Sequence, residues 1–364
     1  MRHQILYLTL NTFDVRRSNT CRDQPIHLID AYNSSIRATY SPINALDEME
    51  SPTVVTFTPD GSRIFASGFR TDRTIHKFDT NIPGKESDIL KLGKTRRSKD
   101  GQKGIVSALS FPEGNSAFAG INVFAVGTYS PGSIYVYDDR LSNDSPAGTV
   151  LNGGVSVVGH GRSFGRKKRR FVEILDQDTS SSDEKEQQDI FAAAKVSWYQ
   201  ARARSGITQL KWSKGGQNNY LLYSASRRSD AVLAFDMRML TGDSSHPIRG
   251  IAAYSRDSDS NQRLEFDFDQ EGRRLFVGSR DSCVKIYDIG SGKLIDEIGG
   301  FHDAVNGVSY TNINGRELLS VACGARRFTD DDNDNDSGDG GTNTRKPESM
   351  ALCNPPGSIS LFEI

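Results

Sequence analysis

The stretch NQRLEFDFDQEGRRLFVGSRDSCVKIYD, from Asn261 to Asp288, contains three short runs separated by two turns. In the first run polar and apolar residues alternate, so that Leu264, Phe266 and Phe268 share one face. The turn Gln-Glu-Gly leads to a more apolar run, and a second tight turn leads to another alternating run. Alternation with a period of two between Gly, Asp and Ser turns is typical of antiparallel strands. The stretch therefore predicts a unit of three strands, which needs neighbours to bury both of its faces.

The same order of strands and turns recurs along the chain, at a spacing of about 40 residues. The further copies are Thr53–Asp79, Gly104–Asp138, Gly206–Asp236 and Ala304–Ile364. Most copies end their third run with an aromatic residue followed by aspartate, an ending similar to that of a WD-type blade. Repetition at this period is typical of propellers, so we predict an all-β WD-repeat β-propeller, seven-bladed in the full protein.

The N-terminal part fits the repeat poorly. Pro25–Asp30 predicts a third strand and Ile36–Tyr40 a fourth, whereas the first two strands of that blade are barely visible. An open propeller would expose sheet faces and strand edges. We therefore expect that this chain lacks its N-terminal blade, and that residues 1–21 are irregular or do not represent the natural start.

Two polar, low-complexity segments interrupt the repeat, and such composition is typical of disorder. The expected division is an irregular N-terminus at 1–21, propeller blades at 22–160, a disordered basic and acidic insertion at 161–204, further blades at 205–328, an acidic disordered loop at 329–354 and a final strand at 355–364.

Composition argues against several functional classes. The 45 basic and 46 acidic residues give a formal net charge of −1, so a nucleic-acid role would need local patches. The six histidines and four cysteines show no metal-ligand spacing, and no catalytic motif occurs. We predict no catalytic residue, no metal, no cofactor and no enzyme activity. No run reaches about 18 apolar residues, so no membrane partner is predicted.

Arginine is concentrated in loops that a propeller places on one face. These loops join the second strand of a blade to the third, and the fourth strand to the next blade. The candidate RNA-binding residues are Arg22, Arg70, Arg73, Arg96, Arg97, Tyr129, Arg227, Arg228, Arg280, Arg326 and Arg327. Arginine holds phosphate through two hydrogen bonds and stacks on unpaired bases. The alternative is that these arginines are turn residues paired with nearby aspartates, such as Asp23, Asp72, Asp230 and Asp281.

The insertion contains a basic run of five residues: Arg166, Lys167, Lys168, Arg169 and Arg170. Such a cluster is typical of a nuclear import signal. It would also suit an additional RNA-contacting arm, or simply keep a loop solvated.

Several strings extend beyond a general WD pattern. They are RDQPIHLIDA (22–31), NALDE (44–48), GQKGIVSALSF (101–111), SASRRSDAVLAFDMR (224–238), SNQRLEFDFD (260–269) and NGVSY (306–310). Together they resemble the telomerase Cajal body protein family, and in particular its fungal branch, which includes a yeast splicing-associated member. The resemblance implies a nuclear protein, in Cajal bodies or the nucleoplasm, that recognises box H/ACA-type RNAs such as telomerase RNA, or spliceosomal small nuclear RNPs.

We therefore predict a non-catalytic WD-repeat scaffold that binds small nuclear or box H/ACA-type RNA and RNP proteins, with a role in telomerase or in mRNA splicing. The alternative is a propeller that contacts only RNP proteins during assembly, and associates with RNA indirectly.

Overall fold

Short antiparallel strands form most of the regular structure in the computed structural model of the chain. The structure describes residues 5–10, 16–21, 24–30, 33–44, 46–70, 74–92, 104–112, 116–118, 122–130, 132–140, 148–151, 206–215, 218–239, 250–258, 260–324 and 358–364. Within these ranges the strands form six sheets, which follow one another in chain order. A short 3-10 helix, Met237–Met239, lies between two strands.

The first three sheets have four strands each. Sheet 1 contains β1 (Ile5–Leu10), β2 (Arg16–Cys21), β3 (Ile26–Asp30) and β4 (Ile36–Tyr40). Sheet 2 contains β5 (Val54–Phe57), β6 (Arg63–Ser67), β7 (Thr74–Asp79) and β8 (Asp88–Lys91). Sheet 3 contains β9 (Val106–Ser110), β10 (Val123–Thr128), β11 (Ser133–Asp138) and β12 (Gly148–Leu151).

The next two sheets also have four strands, and the sixth has three. Sheet 4 contains β13 (Ile207–Trp212), β14 (Leu221–Ser226), β15 (Ala231–Asp236) and β16 (Gly250–Ser255). Sheet 5 contains β17 (Phe266–Phe268), β18 (Arg274–Gly278), β19 (Val284–Asp288) and β20 (Leu294–Ile298). Sheet 6 contains β21 (Val305–Ile313), β22 (Arg316–Cys323) and β23 (Ser358–Glu363).

The first strands of consecutive sheets lie beside one another. β1 contacts β5, β5 contacts β9, β9 contacts β13, and β17 contacts β21. Sheets 4 and 5 are joined by the Gln209 side chain, which donates to Phe266 O (3.2 Å) and accepts from Phe266 N (2.9 Å). Inner first strands with sheets radiating outward are the arrangement of a WD-repeat β-propeller. The fold prediction is confirmed, and the number of blades in the full protein stays a prediction.

Apolar layers between neighbouring sheets form the core. Phe65 packs edge-on against Phe111 between sheets 2 and 3, with ring centroids 4.9 Å apart, and Tyr223 packs against Phe268 between sheets 4 and 5 at 4.8 Å. Fully burying a side chain of this size stabilises the fold by roughly 1.5–3 kcal/mol. Since each layer belongs to two sheets, the blades stabilise one another in series.

Sheet 1 differs from the sequence-based expectation. The sequence predicts an irregular segment at 1–21, whereas the structure has β1 and β2 within it, and β2 pairs with β3. The pairing has a physical reason, because β3 carries hydrogen-bonding groups on both edges and these need partners. The expected disordered segments at 161–204 and 329–354 lie outside the described residues.

Sheet 6 ends at β23, since no described strand lies outside it. Its side chains Ile359 and Leu361 are 83% and 63% exposed. By contrast, the third strands of sheets 3 and 4 are buried along their whole length. Strand side chains project from the two faces of a sheet, so Ile359 and Leu361 mark one face of sheet 6 that the described residues leave exposed.

Within the described residues, no helix combines the length and apolar character needed to cross a membrane.

Candidate nucleic-acid interface

Two kinds of connection meet at one end of the sheets. These are the turns between the second and third strands and the segments that precede the first strands. Tyr129 N donates to Ile105 O, and Arg227 N donates to Gly206 O, each at 2.9 Å. We call this end the turn face; its described part comprises residues 68–70, 104–105, 129–130, 132, 206, 227–230, 256–258, 260–265, 279–283 and 299–304. The other end, with the remaining turns, is called the opposite face.

Two glycines allow the segments of the turn face to approach closely. Gly104 has φ +99°, and a Cβ there would lie 1.8 Å from Ser130 O. A Cβ on Gly206 would lie 2.5 Å from Tyr129 O. Any other residue would force these backbones apart, so glycine is needed for the hydrogen bonds between turn and segment.

Hydrogen bonds also connect this face from sheet to sheet. The Thr53 hydroxyl lies 3.1 Å from Gly68 O and 3.2 Å from Val106 O, which links sheet 2 to sheet 3. Arg228 N donates to Ser260 O at 3.2 Å, which links the turn of sheet 4 to the segment that leads into sheet 5. The side chains of the face are therefore presented by a hydrogen-bonded backbone.

Tyr129 and Arg227 form the closest contact between side chains of neighbouring sheets that we describe on the turn face. The Arg227 guanidinium carbon lies 4.7 Å from the centre of the Tyr129 ring, although the two residues belong to neighbouring sheets. The tyrosine is 48% exposed. Arg227 Nε is buried and has no hydrogen-bond acceptor within the described chain. A cation stacked on an exposed ring offers both an aromatic surface and charged donors to a ligand.

Arg70 and Arg228 are exposed on the same face. Arg228 lies in the left-handed region, with φ 50°, at the tip of its turn. In the described part of the chain, no carboxylate forms an ion pair with Arg70, Arg227 or Arg228. Their charges are consequently not neutralised by the protein contacts that the structure describes.

Arg280 fits the alternative interpretation in part. Its Nε lies 3.8 Å from Asp257 Oδ2, and both side chains are about half exposed. The sequence had suggested Asp281 as a nearby partner, but Asp281 lies 3.3 Å from Lys285 Nζ and accepts a hydrogen bond from the Cys283 thiol. Exposed pairs of this kind contribute little to stability. The contact between Arg280 and Asp257 therefore adds little to the stability of the fold.

The described candidates thus share one face: Arg70, Tyr129, Arg227, Arg228 and Arg280. The candidates Arg22, Arg73, Arg96, Arg97, Arg326 and Arg327 lie outside the described residues, as does the basic run Arg166, Lys167, Lys168, Arg169 and Arg170. The RNA-binding role of all these residues stays a prediction.

Sequence reasoning missed Arg256, which lies directly after β16. Its guanidinium is buried and donates to three backbone carbonyls, those of Ser226, Ser229 and Leu264. Burial lowers the pKa of Arg256 to about 10, and the nearby Asp230 carboxylate partly opposes this shift. The group therefore stays charged at neutral pH. Its only sequence signal is an arginine shortly after the apolar run at 251–254, which is also what a solvated loop would show.

Several cations on the opposite face form ion pairs with carboxylates. Asp267 is buried and lies 2.8 Å from Lys211 Nζ and 3.4 Å from Lys214 Nζ. Arg274 lies 3.3 Å from Asp269 and 2.6 Å from Glu317. Further pairs join Lys77 to Asp139, Arg140 to Asp138 and Arg238 to Asp236.

Among the described residues, no group of three or more His, Cys, Asp or Glu side chains is arranged to hold a metal ion. Burial, together with the Asp281 hydrogen bond, raises the pKa of the Cys283 thiol far above its usual value. This thiol is therefore not an activated nucleophile.

Comparison with known proteins identifies the repeat and its relatives. The family model "WD domain, G-beta repeat" matches residues 237–288. Telomerase Cajal body protein 1 of Mus musculus is 27% identical over 346 residues, which cover 93% of this chain and 50% of the relative. The chain is homologous to telomerase Cajal body protein 1. The human protein of that name is 26% identical over 85% of this chain and 44% of its own length.

A more distant relative, the telomerase Cajal body protein 1 homolog of Drosophila melanogaster, is 24% identical over 85% of this chain and 43% of its own length. The chain thus spans about half the length of the curated relatives that it matches. The resemblance predicted from the sequence is confirmed at this level, while placement in a fungal branch stays a prediction.

Proposed function

We propose that this homologue of telomerase Cajal body protein 1 is a non-catalytic scaffold of nuclear RNPs, and that its turn face binds RNA directly. The observation that carries the proposal is the Tyr129–Arg227 pair, with Arg70 and Arg228 on the same face. Their charges lack a described carboxylate, and one of them lies against an exposed aromatic ring. The ligand class is small nuclear or box H/ACA-type RNA, including telomerase RNA.

The arrangement suits unpaired RNA on physical grounds. Single-stranded regions offer base faces that stack on aromatic rings and on guanidinium planes. Phosphates accept paired hydrogen bonds from arginine. The Tyr129 ring would receive a base while Arg227 and Arg228 hold the adjacent backbone. Because phosphate contacts release counterions, the affinity should fall as salt rises.

The name of the relatives refers to the Cajal body, a nuclear compartment, and this implies that the chain is nuclear. The basic run at 166–170 supplies a candidate import signal. A role in telomerase or in splicing would follow from which RNA is bound.

The direct test uses purified chain and naked RNA made in vitro: one box H/ACA-type RNA, one spliceosomal small nuclear RNA and an unrelated duplex RNA of equal length. We expect the first or second to bind more tightly than the duplex, with affinity falling steeply between low and moderate salt. Binding to assembled particles but to no naked RNA would contradict the proposal.

That contrary result would support the second candidate, a scaffold that contacts only RNP proteins. The observation that favours it is the exposed apolar side chains Ile359 and Leu361 on the outer strand of sheet 6. Apolar patches of this kind are typical of protein contacts.

A further inference from the structure

Arg256 lies beneath the turn that carries Arg227 and Arg228. It is 4% exposed, so it contributes nothing directly to the surface. Nη2 donates to Ser226 O at 3.0 Å, and Nε approaches Ser229 O at 3.4 Å. These two carbonyls flank Arg227 and Arg228 in the chain, so one guanidinium holds both ends of the two-residue tip.

The same side chain reaches the next sheet. Nη1 donates to Leu264 O at 2.9 Å, shortly before β17 begins. The backbone of Arg256 also donates to Asp230 O at 2.8 Å. The tip of the turn is thus fixed against both its own sheet and the segment that leads to sheet 5.

We propose that Arg256 is a positioning residue, which sets the direction in which Arg227 and Arg228 are presented to RNA. This inference rests on the proposed RNA-binding function. Arginine suits the role because its planar group directs several donors along fixed lines. Lysine keeps the charge but presents its donors from one nitrogen, so it cannot hold all three carbonyls in this geometry. Arg228 has a positive φ, which non-glycine residues adopt only when their surroundings enforce it.

The test is a double-mutant cycle measured by RNA binding. Arg256→Lys should weaken binding about tenfold in the otherwise natural chain, since bonds from a charged donor are lost. In a chain that already carries Arg227→Ala and Arg228→Ala, Arg256→Lys should have no further effect. Arg274→Lys, on the opposite face, is the matched control and should leave the affinity unchanged in both backgrounds.

An equal loss in both backgrounds would overturn the proposal, because it would mean that Arg256 acts through the fold as a whole. Should Arg256→Lys fail to fold, as judged by circular dichroism, Arg256→Gln replaces it in the same cycle, since it buries no charge.

A second measurement does not depend on RNA. Amide hydrogen exchange at residues 227–230 should accelerate in Arg256→Lys, while exchange in β11 stays slow. Unchanged exchange at 227–230 would refute the positioning role even if the chain binds RNA. Failure of the unmodified chain to bind naked RNA would instead refute the proposed function, and accelerated exchange would then still support the role of Arg256 in holding the turn.

Discussion

The described cations of the turn face and of the opposite face have different surroundings. On the opposite face, the described contacts pair Lys211 and Lys214 with Asp267, and Arg274 with Asp269 and Glu317. On the turn face, Arg227 stacks on a ring instead, and the contact of Arg280 with Asp257 is long and half exposed. A cation that pairs with a carboxylate of the same protein contributes to the stability of the fold. A cation without such a partner can instead bind an anionic ligand.

The largest expected effect is on the opposite face. The Asp267 carboxylate is held by two lysines and also accepts from the backbone N–H groups of Phe268 and Tyr310. Asp267→Ala leaves these donors without their acceptor, so we expect a loss of about 3–5 kcal/mol in the free energy of unfolding. Chemical denaturation measures the loss. The salt dependence of RNA binding by the folded fraction should not change; if it changed, the two faces would not be independent.

Acid should also remove the stabilisation that the ionised Asp267 carboxylate gives to the fold. Burial disfavours the charged form of Asp267, but Lys211 and Lys214 outweigh burial, so the pKa of the carboxyl lies below its usual value. A lowered pKa stabilises the folded chain above the unfolded value of about 3.9, and this stabilisation is lost as the pH falls through the folded value. The stability difference between the natural chain and Asp267→Asn should therefore shrink below about pH 4. A difference that grew on acidification would contradict the assignment.

The next largest effect should be on RNA affinity, and it should differ between the two faces. The triple variant Arg227→Glu, Arg228→Glu and Arg280→Glu should bind RNA about 100-fold more weakly. Its affinity should also depend less on salt, since phosphate contacts are replaced by repulsion. The matched control replaces Arg63, Arg273 and Arg316 by glutamate. These residues are exposed at turns of the opposite face, and the control variant has the same net charge as the test variant. Filter binding should show little loss for the control. Equal losses for both sets would mean that only net charge matters.

A smaller effect is expected at the aromatic ring. Tyr129→Ala should weaken binding of unpaired RNA about tenfold, since stacking of one base contributes about 1–3 kcal/mol. Tyr129→Phe keeps the ring and should bind almost normally. Fluorescence of a 2-aminopurine base in the RNA reports stacking. Equal binding by the Ala and Phe variants would show that the ring is not a stacking surface.

The smallest effect belongs to exposed pairs of the opposite face. The Arg140 guanidinium donates to Asp138, which lowers the pKa of that carboxyl, but the arginine remains largely exposed to solvent. Arg140→Gln should change neither RNA affinity nor the melting temperature by more than the error of measurement. A clear loss of RNA affinity would show that ligand contacts extend beyond the turn face.

The sequence allowed prediction of the features that recur locally. The alternating runs and their turns predicted the first three strands of sheets 2 to 6, but not the fourth strands β8, β12, β16 and β20. The repeat order placed Arg70, Tyr129, Arg227, Arg228 and Arg280 in turns of one face. These inferences need only the strand period and the order of strands within a blade.

Features that depend on distant contacts could not be predicted in this way. The strand β2 has the polar sequence RRSNTC, and its assignment depends on pairing with β3 rather than on its own pattern. Arg256 looks like a loop arginine in the sequence, because the carbonyls that it binds lie up to 30 residues away in the chain. The partner of Arg280 is likewise Asp257, which belongs to the segment before the same sheet.

The three-stranded sheet 6 has a consequence for colloidal behaviour. The outer backbone groups of β23 face no further strand among the described residues, and Ile359 and Leu361 add apolar surface beside them. An open β-edge of this kind is a template for pairing with strands of other molecules. A strand that paired with β23 would satisfy these backbone groups and lie beside Leu361, and a charged residue in place of Leu361 should disfavour such pairing.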